Sequence, residues 1–143
     1  MNTSFRVPIW FWILSLLAIT WNAIGVVAYL GESYMTAEQF AKLDPAIQDA
    51  YNNRPSFIVA AFAIAVFSGL AGSIFLLLRK KLAVPLLVLS FIAVCTQHVY
   101  SFGIAKMHTI VSTFNVVMAI VVFLIAFALM IFAVSRKKLG WLK

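Results

Sequence analysis

Thr109–Val134 reads TIVSTFNVVMAIVVFLIAFALMIFAV, and Ser135-Arg136-Lys137-Lys138 follows it directly. The run carries no charge and exceeds the roughly 20 residues a helix needs to cross the hydrocarbon core of a bilayer. Its apolar residues are continuous instead of alternating with period two, so the segment reads as a helix and not as a barrel strand. Three further runs of the same kind lie upstream, at residues 7–30, 56–78 and 82–100, which predicts an all-α bundle of four transmembrane helices in one membrane domain, residues 1–143.

Composition requires the same solvent. Of the 143 residues, 64% are hydrophobic and 10% charged, an apolar share that a small soluble fold cannot cover with polar surface. The longest polar stretch, Gly31 to Pro55, leaves no room for a soluble domain. Prolines agree with these boundaries: Pro8 and Pro55 stand at helix starts and Pro85 falls in a first turn, where a missing N–H costs little. Arg6 before an apolar run also fits a signal peptide, with Val26-Val27-Ala28 as the cleavage site, but the run is too long and reads as a retained helix.

Basic residues set the orientation. Arg79-Lys80-Lys81 and Arg136-Lys137-Lys138 fall on one side if four helices alternate, with Arg6 beside them, so both termini are expected in the cytoplasm. The net charge of +7 is thereby explained by topology, and nucleic acid is not an expected partner. All four acidic residues, Glu32, Glu38, Asp44 and Asp49, fall in the opposite loop, residues 31–55. Within it Thr36-Ala37-Glu38-Gln39 reads as a capping box and Asp44-Pro45 as an N-cap with proline at N1. Phe40, Leu43, Ile47 and Tyr51 recur at helical spacing and make one apolar face, expected to lie on the outer mouth of the bundle or in the interface plane.

Two sets of residues are candidate functional positions. Ala65, Ser68, Gly69, Gly72 and Ser73 form a strip of small side chains on the second span, the feature that lets helix backbones approach in lipid; the neighbour is either in this chain or in another subunit. The second set appears when polar residues are placed by depth. Asn22, Thr96-Gln97-His98 and Thr109, Ser112, Thr113 and Asn115 all fall in the outer half, and amides in lipid need partners, so Asn22, Gln97 and Asn115 are expected to face one another inside the bundle. Trp21 joins this group, because helical rise puts it roughly 13 Å below the outer surface. Trp10 and Trp12 at one end of the chain and Trp141 near the other read as belt anchors.

Several chemistries lack their residues. No Asp, Glu, Lys or Arg lies in a span interior, so the embedded carboxylate of proton-coupled carriers is missing. Cys95 is the single cysteine, which excludes dithiol chemistry within the chain. His98 and His108 flank the short outer turn and are the only pair able to hold a haem or metal, yet without Cys, Asp or Glu beside them they read as interface histidines bonded to water. No nucleophile and base set or phosphate loop is present; no enzyme activity and no cofactor are expected.

Trp21-Asn22-Ala23-Ile24-Gly25-Val26-Val27-Ala28-Tyr29, Phe62-Ala63-Ile64-Ala65-Val66-Phe67-Ser68-Gly69, Leu78-Arg79-Lys80-Lys81, Met35-Thr36-Ala37-Glu38 and Arg54-Pro55 together resemble a family of small bacterial membrane proteins commonly labelled "sugar transporter" or hypothetical. The resemblance runs over nearly the whole chain and implies a bacterial inner-membrane setting and solute carriage. The residues themselves point first to a noncatalytic accessory or interaction subunit with a membrane-protein partner or a second copy of itself, next to a small oligomeric carrier or channel for a neutral solute, and then to a haem or quinone protein.

Overall fold

The computed structural model describes residues 6–143 and places them in six α-helices without strands. α1 (Ile9–Ser33) leads into two short helices, α2 (Ala37–Ala41) and α3 (Pro45–Asn52), followed by α4 (Ser56–Leu77), α5 (Ala83–His98) and α6 (Thr113–Lys138). α1, α4, α6 and α5 with its extension to Ile104 are long and apolar enough to cross a membrane. The fold is thus an all-α four-helix membrane bundle.

The start of α1 and the C-terminal tail share one end of the bundle with the α4–α5 turn, here called the basic end, and α2 and α3 connect α1 to α4 at the other, the lid end. α4 packs against α1 on one side and α5 on the other, and α6 packs on α5. α1 and α6 complete the ring at the basic end, where Trp10 and Phe11 lie with ring centroids 5.9 Å and 5.8 Å from Phe132.

The helix starts follow from capping chemistry. Thr36 Oγ1 accepts from the Gln39 backbone N–H at 3.2 Å and Gln39 Oε1 from that of Thr36 at 2.9 Å, which completes the capping box. Asp44 Oδ1 accepts from the Ala46 N–H at 2.9 Å ahead of Pro45. Phe40, Leu43, Ile47 and Tyr51 are half-buried, and the Phe40 and Tyr51 rings lie 6.4 Å apart, so the apolar face of the lid packs at least partly on itself.

Two span boundaries differ from the sequence expectation. The third span does not stop at Tyr100: Val99–Ile104 continues α5 as a π-helix, and Ala105 donates to the Tyr100 carbonyl at 2.8 Å before Lys106 breaks the helix at φ 47°. The fourth begins at Thr113, not Thr109, because Met107–Thr109 forms a separate 3₁₀ turn and Ser112 supplies the cap. It runs on to Lys138, so the basic cluster occupies its last turn, where cations favour the helix dipole.

The basic end is sealed. α4 ends in a Schellman motif: Lys80 donates to the Phe75 carbonyl at 2.8 Å and Arg79 to that of Leu76 at 2.9 Å, with Arg79 itself left-handed at φ 57°. The C-terminal tail holds that turn, since Lys143 N–H donates to the Arg79 carbonyl and Arg79 Nε to the Trp141 carbonyl at 2.8 Å. Leu142 is thereby pressed into a buried cluster with Phe11, Leu76, Ala83, Leu87 and Ala133. Trp141 is part of this plug: its ring lies 5.5 Å from Trp10 and 5.8 Å from Phe11, with the Arg136 guanidinium 4.7 Å above it.

Candidate functional site

The closest helix approach sits on the strip of small residues. Ala65, Ser68, Gly69, Gly72 and Ser73 are all buried, and the strip is used inside this chain, against α1 and α5. A Cβ on Gly72 would stand 2.8 Å from Leu87 Cγ, so α5 packs on α4 only because that atom is missing. A Cβ on Gly69 would overlap Asn22 Oδ1 of α1 and stand 3.0 Å from Ser90 Oγ of α5.

Asn22 joins α1 to α4. Its Nδ2 donates to the Ala18 carbonyl at 2.9 Å and to Ser73 Oγ at 3.1 Å, while Ser73 Oγ donates to the Gly69 carbonyl at 2.8 Å. Ser90 joins α5 to α4 by donating to the Ala65 carbonyl at 2.7 Å. These two serines are the polar partners that depth placement missed. Serine can satisfy itself on its own helix, as Ser15 does on the Phe11 carbonyl, so nothing in one sequence marks Ser90 as a cross-helix donor.

Toward the lid end a cavity of about 240 Å³ opens between α1 and α6. Trp21, Asn22 and Gly25 line it from α1, Phe62 and Ala65 from α4, Ser90 and Gln97 from α5, and Met118, Val122 and Ala126 from α6. No charged residue, histidine or cysteine lines it. Trp21, Ile24, Ile125 and Leu129 also line a second hollow shared with Leu14 and Leu17 on the α1–α6 surface, so these four side chains form the wall between the cavity and the surface that faces lipid.

The structure brings together Trp21, Asn22 and Gln97 and leaves out the other two members of the expected cluster. Asn115 is exposed in the first turn of α6, where its backbone N–H donates to the capping Ser112 Oγ at 3.4 Å, and it does not face Asn22 or Gln97. The helix start four residues later than expected accounts for this: Asn115 is an N3 residue at the lid end, not a mid-depth amide. Gln97 lines the cavity without a hydrogen bond to any described residue. His98 points away from it, into the α5–α6 seam, where Nδ1 lies 2.8 Å from the Val94 carbonyl and Nε2 2.8 Å from the Ala119 carbonyl of α6. A neutral imidazole carries one N–H and donates to one of these carbonyls at a time, while His108 is exposed, its ring 6.2 Å from Phe102. With its proton on Nε2, His98 ties α5 to α6.

The lid is tied down by one polar cluster. Arg54 pairs with Glu32 at 2.6 Å, Tyr51 Oη donates to Glu32 at 3.1 Å, and the guanidinium lies 4.8 Å from the Tyr51 ring centroid. Burial, then the charge of Glu32 and the hydrogen bond to it, push the Tyr51 phenol up to about 12, partly offset by Arg54.

Fold and cavity define a four-helix membrane protein with a neutral cavity, a sealed basic end and a lid. No family model, curated protein or solved structure matches the chain.

Proposed function

We propose that the chain is a noncatalytic accessory protein of a bacterial inner membrane, with both termini cytoplasmic, and that it acts as an interaction subunit by binding in the gap between α1 and α6. The observation that carries this reading is the gap itself: α1 and α6 meet through Trp10, Phe11 and Phe132 at the basic end and diverge around a cavity toward the lid. The clustering of Arg79, Lys80, Lys81, Arg136, Lys137 and Lys138 at one end supports the orientation. A lining without carboxylate, histidine or cysteine supports a binding role over a catalytic one.

A neutral-solute carrier has one observation in its favour, the uncharged lining. It would also have to open the plug of Phe11, Leu76 and Leu142, which lies between the cavity and the basic end. The binding role needs no such opening.

The test places a photocrosslinking residue at Ile125, in the gap, or at Ile131, on the exposed face of α6. A discrete adduct from Ile125, polypeptide or small molecule, with only scattered lipid adducts from Ile131, is the expected result. The same adduct pattern at both positions refutes the reading.

A further inference from the structure

The chemistry of the cavity narrows what fills the gap, on the premise that binding there is the function. We infer that the α1–α6 cavity holds the apolar chain of an uncharged amphiphile drawn sideways from the bilayer, with the hydroxyl or carbonyl of that molecule on the amides of Gln97 and Asn22.

The cavity holds about 240 Å³. That volume takes about eight groups the size of a water molecule, at ~30 Å³ each. Water suits the amides of Gln97 and Asn22 but not the rest of the lining, since an apolar cavity stays dry and takes apolar guests. An alkyl or prenyl segment matches both the volume and the lining of Val66, Met118, Val122 and Ala126.

Polarity fixes the head. Gln97 has both its amide oxygen and its NH₂ free of described partners, and Asn22 keeps Oδ1 unbonded while its Nδ2 is engaged by Ala18 and Ser73. The site thus offers neutral donors and acceptors and nothing to neutralise an ion; an ionised carboxylate or phosphate there would be buried without a counter-charge. A sugar also fits poorly, since its many hydroxyls would meet two amides and one serine, and each left unpaired costs about 1–3 kcal/mol. One hydroxyl or carbonyl suits the number of groups present.

Depth and access agree. Gln97 lies seven residues before the end of the π extension and Asn22 eleven before the end of α1, about 10 Å and 17 Å along the helices by a 1.5 Å rise. A polar group bound there is below the headgroup layer, which rules out a phospholipid whose ionic head stays at the interface. The route in is lateral, through the wall of Trp21, Ile24, Ile125 and Leu129 that separates the cavity from the lipid-facing hollow.

The experiment uses the full chain in phosphatidylcholine nanodiscs and two clickable diazirine probes of equal chain length, a long-chain alcohol and the matching fatty acid, with labelled peptides located by mass spectrometry. The alcohol is expected to label the α1 and α6 segments that line the cavity in preference to the acid, because its head carries no charge to bury. Gln97→Leu should lower labelling by the alcohol about threefold to tenfold, the factor one amide hydrogen bond supplies, while leaving chain insertion intact. Ala126→Phe, which fills the cavity, should abolish cavity labelling, and Leu124→Phe on the exposed face should not. Equal labelling by both probes in the wild type, or labelling spread evenly over the lipid-facing surface, overturns the inference. A discrete polypeptide adduct at Ile125 together with no cavity labelling overturns it too, but leaves the interaction reading standing; scattered adducts at Ile125 remove both.

Discussion

Gly69→Ala tests the packing on which the site is built. The added Cβ would overlap Asn22 Oδ1, with Asn22 Cγ at 3.1 Å and Ser90 Oγ at 3.0 Å. An exposed side chain would swing away at little cost, but Asn22 is short and held at Nδ2 by both the Ala18 carbonyl and Ser73 Oγ. It must either give up the bond to α4 or push α1 away from α4. Overpacking of this kind costs about 1–3 kcal/mol, and the interhelical hydrogen bond adds about 0.6, at most about 1.7. The better helix propensity of alanine returns at most about 1 kcal/mol, so the net destabilisation is about 1–3 kcal/mol. Reversible unfolding in mixed micelles, followed by helical circular dichroism, measures it. The informative quantity is the double-mutant coupling with Asn22→Ala, because removing the amide frees the space that the new methyl needs. Gly69→Ala in the Asn22→Ala background should cost at least about 1 kcal/mol less than in the wild type, a coupling of the size expected for residues in contact. Additive effects would refute the contact, and a neutral Gly69→Ala would refute the close approach of α1 to α4.

Tyr51 gives a pH prediction outside the spans. Its folded pKa of about 12 lies above the ordinary value of 10.0, so the stability that Tyr51 contributes to the lid is fully present below pH 10 and is lost as pH rises toward 12. The phenol is partly solvated, and screening holds that loss to at most about 1 kcal/mol. The difference in tyrosinate absorbance between wild type and Tyr51→Phe should show this late titration; a difference spectrum centred on pH 10 contradicts it. At the basic end, Leu142→Ala should cost about 2 kcal/mol, the low end for truncating a buried leucine, and should raise the rate at which protease trims the tail; an unchanged trimming rate would mean the tail does not seal that end.

Much of the fold is legible in the sequence because the bilayer imposes length and polarity rules on each segment separately. The capping box at Thr36 and the Asp44-Pro45 start are local chemistry, and the structure has them at the residues that spell them. The ends of α5 are less legible, since Val99–Ile104 is apolar enough for either helix or exit, and only the left-handed turn at Lys106 decides where it stops. The candidate site is legible by half. Depth finds Trp21, Asn22 and Gln97 because an amide in lipid is conspicuous, but depth carries no azimuth and cannot say that His98 turns to α6, and Asn115 is lost because its helix starts later than the apolar run does. The gap between α1 and α6 is tertiary, and no single span encodes it.

The gap follows from how the helices are tied. α1 is drawn to α4 by Asn22, Ser73 and the bare backbone at Gly69; α4 to α5 by Gly72 and Ser90; and α5 to α6 by His98 with Phe91, whose ring lies 5.4 Å from Phe123 and 5.5 Å from Phe127. On the fourth seam, toward the lid, Trp21 and Ile24 face Ile125 and Leu129, with neither a small residue nor a polar pair among them. Lipid supplies no hydrophobic force to close such a seam, so the bulky side chains set its width. His98 is then the tether that fixes how far α6 stands from the rest. A neutral imidazole carries one N–H and can donate to only one of its two facing carbonyls at a time; the bond to Ala119 is the one that joins α5 to α6, and His98→Leu removes it. With Cys95 replaced by serine and spin labels at Ile24 and Ile125, the wild-type background should give a narrow distance distribution across the gap. His98→Leu should broaden it and shift it to longer distance, with a stability loss of about 1 kcal/mol as for other hydrogen bonds between helices in membranes. An unchanged distribution would mean that aromatic packing around Phe91 alone positions α6, and that the histidine clasp has no part in shaping the cavity.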